Sequence, residues 1–232
     1  MKISKIQIYG ERCSGTNYLE DLIEKNFDIN ITWEYGWKHF FGFDQEKLNN
    51  SDDTLFICIT RDIYNWINSL YREMHHLPLK YIIDINTEDK INRFINCEFY
   101  SINDNNQNID FNDEIMEDRN IYTGNRYKNI FELRHNKLKF LIEDLPKKIK
   151  NYILIRYEDL INDFENTMYK IKNTGLIVKN NIIFPLNTTA YKKNVDIEFK
   201  LNSKINHISK DLILTNQNFI KMYEIYLGYN IL

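Results

Sequence analysis

Cysteine is scarce in this 232-residue chain, and Cys13, Cys58 and Cys97 make an odd count with no CxxC pair. That argues against a disulfide framework or a zinc knuckle and in favour of a reducing compartment. No sign of charge dominates: the net charge is −3 at pH 7 and the pI is near 6.0, so no global basic field draws nucleic acid. No apolar run approaches the roughly 20 residues that span a bilayer, and the N-terminus has no secretory apolar segment. The expectation is a cytoplasmic protein with neither nucleic acid nor membrane as a partner. Its oligomeric state is not readable. Alanine occurs once, at Ala190, while Asn, Ile and Lys abound, a bias of base composition rather than of function. Repeats and a clear linker are also missing.

What is present suffices for a core: 43% of residues are apolar and 14% aromatic. One domain over residues 1–232 is expected. Ile3–Tyr9 reads as a strand, and Thr16–Phe27 carries apolar residues at 19, 22, 23 and 27, the helical period. Ile29–Trp37, β-branched and aromatic, reads as a second strand. Leu55–Thr60 is a continuous apolar run of the kind found in a strand buried on both faces. Asp62 sits where a helix N-cap belongs, ahead of apolar positions 63, 66, 67, 70, 71 and 74. Residues around 84–125 form a polar insertion: one short helix, then an Asn- and Asp-rich excursion through Asn103–Asp113. Tyr127–Glu143, Leu160–Lys172 and Gln217–Leu227 read as helices, and Tyr152–Ile155 as another buried strand. Strands alternating with helices indicate an α/β fold with a parallel sheet.

Gly10-Glu11-Arg12-Cys13-Ser14-Gly15-Thr16-Asn17 joins the first strand to the first helix. A strand, a tight glycine loop and a helix N-terminus make an anion cradle of backbone N–H groups. The two glycines have the spacing of a Walker A loop, but Thr16-Asn17 stands where Lys-Ser/Thr would. The lysine that reaches terminal phosphates and the hydroxyl that binds magnesium are both missing. What remains suits an oxyanion without a metal: backbone donors, Ser14, Thr16 and Arg12. No metal ligand set is expected; His75-His76 lacks the Cys or His partners that would complete one. Arg61 follows the buried strand at its carboxyl end, where open parallel sheets bind ligands. Ser69, eight residues on, shares a phosphate with Arg61 if the chain folds back. Two anion sites at two strand ends imply a ligand with two spaced anionic groups.

The segment GERCSGTNYL resembles the 5′-phosphosulfate loop of the sulfotransferase family. ITRDIYNWINSLYR resembles that family's 3′-phosphate motif, and IRYEDL its strand end near adenine. The resemblance spans residues 6–160 and implies a three-layer, P-loop-like fold with a central, mainly parallel sheet flanked by helices. It also implies 3′-phosphoadenosine 5′-phosphosulfate (PAPS) as donor, with the bisphosphate PAP as product and no metal. Under it, Arg12, Cys13, Ser14, Gly15, Thr16 and Asn17 line the phosphosulfate, Tyr18 stacks on adenine, Arg61 and Ser69 grip the 3′-phosphate, and Tyr157 lies near adenine. Lys192 and Lys193 are candidates, by position, for a basic loop over the 3′-phosphate.

Two positions depart from the family. Cys13 stands where many members have a lysine that aids the leaving group, so Arg12 or Lys38 has to supply that charge. Ile63 replaces a proline after Arg61-Asp62. His39, beside Lys38 and framed by Trp37, Phe40 and Phe41, is the candidate base, with Glu34 as the alternative. His39 also reads as a packed histidine, Trp66 as core, and Arg126 and Arg134 as solvated-face charges. The function expected is sulfuryl transfer from PAPS to a hydroxyl or amine, with a small-molecule or glycan acceptor and a saccharide favoured. The rivals are a nucleotide or small-molecule kinase and a non-catalytic nucleotide-binding protein.

Overall fold

The apolar run Leu55–Thr60 folds, with Thr54 before it, as a strand whose seven residues are all enclosed. A strand covered on both faces has no side for polar residues. The computed structural model describes residues 2–73, 76–78, 87–103, 114–180, 188–190, 196–198 and 206–231. In chain order its main elements are β1 (Lys5–Gly10), α1 (Thr16–Asn26), β2 (Asn30–Ile31), β3 (Thr54–Thr60), α2 (Ile63–Arg72), α3 (Thr87–Asn96), α4 (Ile130–Lys139), β4 (Asn151–Arg156), α5 (Tyr157–Asn162), α6 (Phe164–Lys172), β5 (Thr188–Ala190), β6 (Asp196–Glu198), α7 (Lys210–Leu214) and α8 (Met222–Tyr226). The architecture is α/β, a central parallel four-strand sheet flanked by helices. The chain divides into two compact units, Met1–Arg61 with Leu141–Ile205, and Asp62–Phe140 with Asn206–Leu232.

The first unit holds the sheet, in the order β2-β1-β3-β4 with every pair parallel. Side chains alternate across a strand. Ile6, Ile8, Leu55, Ile57 and Ile59 therefore face one way, onto Leu19, Leu22 and Ile23 of α1 and Leu160, Met168 and Ile171 of α5 and α6. Each such aliphatic chain contributes about 1.5–3 kcal/mol when fully buried. The opposite face carries Tyr9 and Phe56, which pack with Phe41 and Tyr35 at ring separations of 5.1 to 5.7 Å. The order has a consequence for ligands. From β1 the chain turns to β2 on one side, whereas from β3 it proceeds to β4 on the other, so the carboxyl ends of β1 and β3 flank a topological switch point. Ligands of open parallel sheets settle there.

The second unit collects α2, α3, α4, α7 and α8 around Trp66, Phe94, Phe99, Tyr127 and Phe131, each at most 1% exposed. Asp62 caps α2 as expected, accepting from Asn65 N at 2.9 Å. Asn68, also fully buried, bonds Ile208 in both directions, donating to its carbonyl at 2.9 Å and accepting from its N–H at 2.8 Å. Arg134 is not a solvated-face charge. It is 2% exposed, pairs with Glu224 through two bonds of 2.7 and 3.0 Å, and lies over Trp66. Arg126 lies over the Tyr100 ring and bonds Glu114 and Glu98.

Several expected elements differ. The strand expected over Ile29–Trp37 pairs only at Asn30–Ile31. Beyond Thr32 the chain turns, with Gly36 at φ 106 and its N–H on Trp33 O, and Tyr35 is drawn inward instead. β4 is an edge strand in which only Ile155 is fully buried. The helix expected over Leu160–Lys172 breaks at Asp163, whose extended φ of −136 ends α5 and whose side chain accepts from Asn166. At Gln217–Leu227 only Met222–Tyr226 is helical, because Asn216 captures Asn218 N and Phe219 N in a turn. The helix expected from Tyr127 starts at Ile130 with Asn129 as its cap, since Tyr127 bridges Phe99. Most of the polar excursion, residues 104–113, lies outside the described residues, as does His75.

Candidate functional site

Two glycines shape the loop after β1. A Cβ on Gly10 would stand 2.6 Å from Ser14 Oγ and 2.7 Å from Ile59 O, closer than real Cβ contacts come. Gly15 has φ 96, and a Cβ there would meet the Tyr157 ring, with Cε2 at 2.9 Å and Cδ2 nearer still. Between them Cys13 also takes a left-handed φ of 63. For a non-glycine residue such a conformation costs of order 1–3 kcal/mol and gathers at functional sites. Ser14 is fully buried and locks the turn, its N–H and hydroxyl both bonding Glu11 O at 3.1 and 2.6 Å. α1 then starts at Thr16 with Gly15 as N-cap and no side chain capping it. The first-turn N–H groups of a helix have no partner in its own ladder, so this end offers backbone donors and a positive dipole to an anion.

Two neighbouring strand ends converge on this loop. Arg61, just past β3, donates from Nη1 to Cys13 O at 3.1 Å. Its guanidinium lies 4.7 Å from the centroid of the Tyr157 ring, at the end of β4. Tyr157 is thus set between Gly15 and Arg61. Burial raises the pKa of its phenol, opposed by the charge of Arg61. Arg156 beside it turns to Asp159.

The 37–40 segment closes the other side. Gly10 N donates to Lys38 O at 3.0 Å, and His39 Nδ1 lies 2.8 Å from Gly10 O. A carbonyl oxygen only accepts, so Nδ1 carries a proton, and in the neutral imidazole Nε2 is the acceptor nitrogen. Lys38 is 6% exposed and spends its ammonium on Asn17 Oδ1 and, at 2.8 Å, on Glu20 Oε2. Glu20 is a residue that sequence reasoning missed. Its signal was an acid four positions after Thr16, on the turn of α1 above the loop. Burial raises its carboxyl pKa, and Lys38 partly offsets the rise. Arg12 is 7% exposed, with its guanidinium 6.0 Å from the Phe40 centroid.

Arg12, Cys13, Ser14, Gly15, Thr16 and Asn17 therefore share one neighbourhood with Lys38, His39, Arg61 and Tyr157. Tyr18 is 6% exposed and belongs to the core cluster against which Tyr157 also packs. Ser69 stands half-buried on α2, in the other compact unit. Lys192 and Lys193 lie outside the described residues. Glu34, the alternative base, is engaged by Lys5 at 2.6 Å, at the start of β1 and not at its Gly10 end. Cys58 is buried in β3, and burial pushes its thiol pKa up. Among the described residues no group of His, Cys, Asp or Glu is arranged to hold a metal ion, and no helix is long and apolar enough to cross a membrane.

No protein-family model matches the chain, and no curated protein matches it in sequence. Among solved structures it is similar to a crystal structure of a mouse sulfotransferase complexed with PAP, at 16% identity and a TM-score of 0.42. The likeness covers 78% of this chain and 62% of that one, so the chain spans about three-fifths of that protein's length. At that distance it assigns no residue a role.

Proposed function

We propose that this protein is a sulfotransferase that takes PAPS as donor and transfers its sulfuryl group to a hydroxyl or amine of an acceptor. The observation that carries the reading is the meeting of three strand ends: the Gly10–Thr16 loop, Arg61 bonded to Cys13 O, and Tyr157 packed on Gly15. The loop fits an oxyanion, because the uncapped start of α1 supplies amides, and Gly10 and Gly15 let the turn pack closely against Ile59 and Tyr157. When bound, the donor supplies an activated sulfuryl group whose transfer needs charge stabilisation and no metal.

The chain's own residues divide the work. The loop amides and Arg12 hold the 5′ end. Arg61 holds the 3′-phosphate, and Tyr157 flanks the base. His39 Nε2 removes the acceptor proton, oriented by the bond from Nδ1 to Gly10 O. With Cys13 in the loop, Lys38 and Arg12 are the cations for the leaving oxygen. Lys38 reaches the first turn of α1 through Asn17.

Isothermal titration separates this reading from its rivals. PAP is expected to bind in the presence of EDTA, and ATP–Mg weakly or not at all. Metal-dependent ATP binding with no PAP binding would indicate a kinase. PAP binding without any release of PAP from PAPS, over a broad acceptor pool, would indicate a binding protein.

A further inference from the structure

The chain has three tryptophans, and they divide sharply: Trp66 is fully buried, whereas Trp33 and Trp37 are 38% and 45% exposed. The two exposed indoles lie together, ring centroids 5.2 Å apart and planes at 39°. Trp37 meets the candidate base His39 edge-on at 6.4 Å. We propose that Trp33 and Trp37 form the acceptor platform, on which a pyranose ring of a saccharide stacks beside His39. The proposal rests on the sulfotransferase reading for the chemistry, though not for the binding.

Three features support it. The platform is braced. The buried Lys38 ammonium lies 5.7 and 5.3 Å from the two ring centroids and is itself held by Asn17 and Glu20. The backbone beneath is closed by Gly36 N on Trp33 O at 3.2 Å and Phe40 N on Trp37 O at 3.1 Å. Rings held in place lose little freedom when a ligand arrives. Next, the polar character around the rings matches a sugar. Glu20 Oε1 is buried with no hydrogen-bond partner among the described residues, so the ion pair that holds the ammonium under the indoles keeps one unmet acceptor. A pyranose presents an apolar face and a rim of hydroxyls, and indole is the side chain with one large apolar face and a wet edge. Finally, the shape disfavours a flat aryl alcohol. Such a ligand is taken by an enclosed apolar slot, but these rings are tilted open to water. A ring laid on Trp37 brings its hydroxyls toward the imidazole; as the sugar oxygen bonds sulfur, its proton passes to Nε2, the bond from sulfur to the 5′-phosphate oxygen of PAPS breaks, and PAP leaves with that electron pair.

Intrinsic fluorescence of the full chain tests this. The probes are cellohexaose, chitohexaose and an unsulfated glucuronate–N-acetylglucosamine hexasaccharide, with 2-naphthol as the flat aromatic control. At least one hexasaccharide is expected to change the emission saturably. Trp33→Ala and Trp37→Ala are each expected to weaken it roughly 10-fold or more, as a central aromatic contact does, and Trp37→Phe to restore most of the loss. PAP affinity by calorimetry is expected to stay within about twofold in the same variants, since the donor is held by the loop and Arg61 and not by the indoles. The platform is overturned if no hexasaccharide binds, if the double alanine variant binds one as well as the parent does, or if 2-naphthol alone occupies it. Failure of PAP to bind the parent chain while a hexasaccharide still binds through the indoles would sink the donor assignment and leave the platform standing.

Discussion

Replacing Gly15 by alanine tests the contact on which the candidate site is built. Gly15 sits at φ 96, and its absent Cβ would enter the Tyr157 ring, with Cε2 at 2.9 Å. Two penalties follow. A left-handed conformation costs an L-residue about 1–2 kcal/mol. Forcing a methyl into a packed contact costs about 1–3 kcal/mol more. The ring is not free to move without disturbing a neighbour, because the Arg61 guanidinium lies 4.7 Å from its centroid. The sum, about 2–5 kcal/mol, is a large part of the ~5–15 kcal/mol that holds an ordinary domain together.

Urea unfolding followed by circular dichroism reads this as a lower midpoint with unchanged slope. The decisive measurement is a double-mutant cycle with Tyr157→Ala. In that background the steric penalty disappears and only the conformational one remains. The Gly15→Ala penalty should therefore shrink by about 1–3 kcal/mol, which is the coupling between the two positions. An equal penalty in both backgrounds would mean that Tyr157 does not pack on Gly15. A negligible penalty in both would mean that Gly15 is not left-handed.

Other outcomes follow from the same geometry. Arg61→Ala should weaken PAP by more than ~1.5 kcal/mol, the scale of a charge-assisted hydrogen bond, and an unchanged calorimetric affinity would remove its 3′-phosphate role. His39→Ala should spare PAP binding and lower turnover by roughly 10²–10⁴-fold; intact turnover in an acceptor assay would shift the base to another group. The Glu20 carboxyl pKa is raised above its ordinary value of 4.5. The folded state then holds this proton more tightly than the unfolded chain does, so the stability contribution is complete below that value and is lost as pH rises through the folded pKa. Glu20→Gln does not titrate, so its stability relative to the parent should climb over that window in urea midpoints measured across the acid range, and a flat or falling difference would mean that the Lys38 ion pair dominates burial.

Local signals were legible and long-range ones were not. β3 announced itself through an unbroken apolar run, α1 through its period, and α2 through the Asp62 cap, because each depends on neighbours in sequence. Ile29–Trp37 misled because β-branched and aromatic residues favour extended backbone without specifying a pairing partner. The sheet stops at Ile31, and Gly36 turns the chain so that Trp33 and Trp37 come together. Arg134 looked like surface charge because its partner, Glu224, lies 90 residues away, and Asn68 gave no hint that it would clasp Ile208. In the site, the spacing of Gly10 and Gly15 exposed the loop. Tyr157 was singled out only through resemblance, and no local pattern reveals that its ring packs onto Gly15.

The missing loop lysine has a physical counterpart that a position-by-position comparison overlooks. A side chain at position 13 starts from a left-handed backbone, and the Cys13 carbonyl is already committed to Arg61. Beyond Arg12 in the loop itself, positive charge arrives from outside it: Arg61 from the end of β3, held by a carbonyl and an aromatic face, and Lys38 from the closing segment, held by Asn17 and Glu20. Cations fixed in this way need little reorganisation when an anion enters, and preorganised charge is worth more than flexible charge in a water-poor site. The two are not equivalent, however. Arg61 gives a hydrogen bond to an uncharged carbonyl and lies against an aromatic ring. Lys38 faces a carboxylate, so its charge reaches an incoming oxyanion only to the extent that Glu20 takes up a proton or moves aside. Occupation of the loop by an anion and protonation of Glu20 are then mutually reinforcing, because each relieves the same surplus of negative charge around one ammonium.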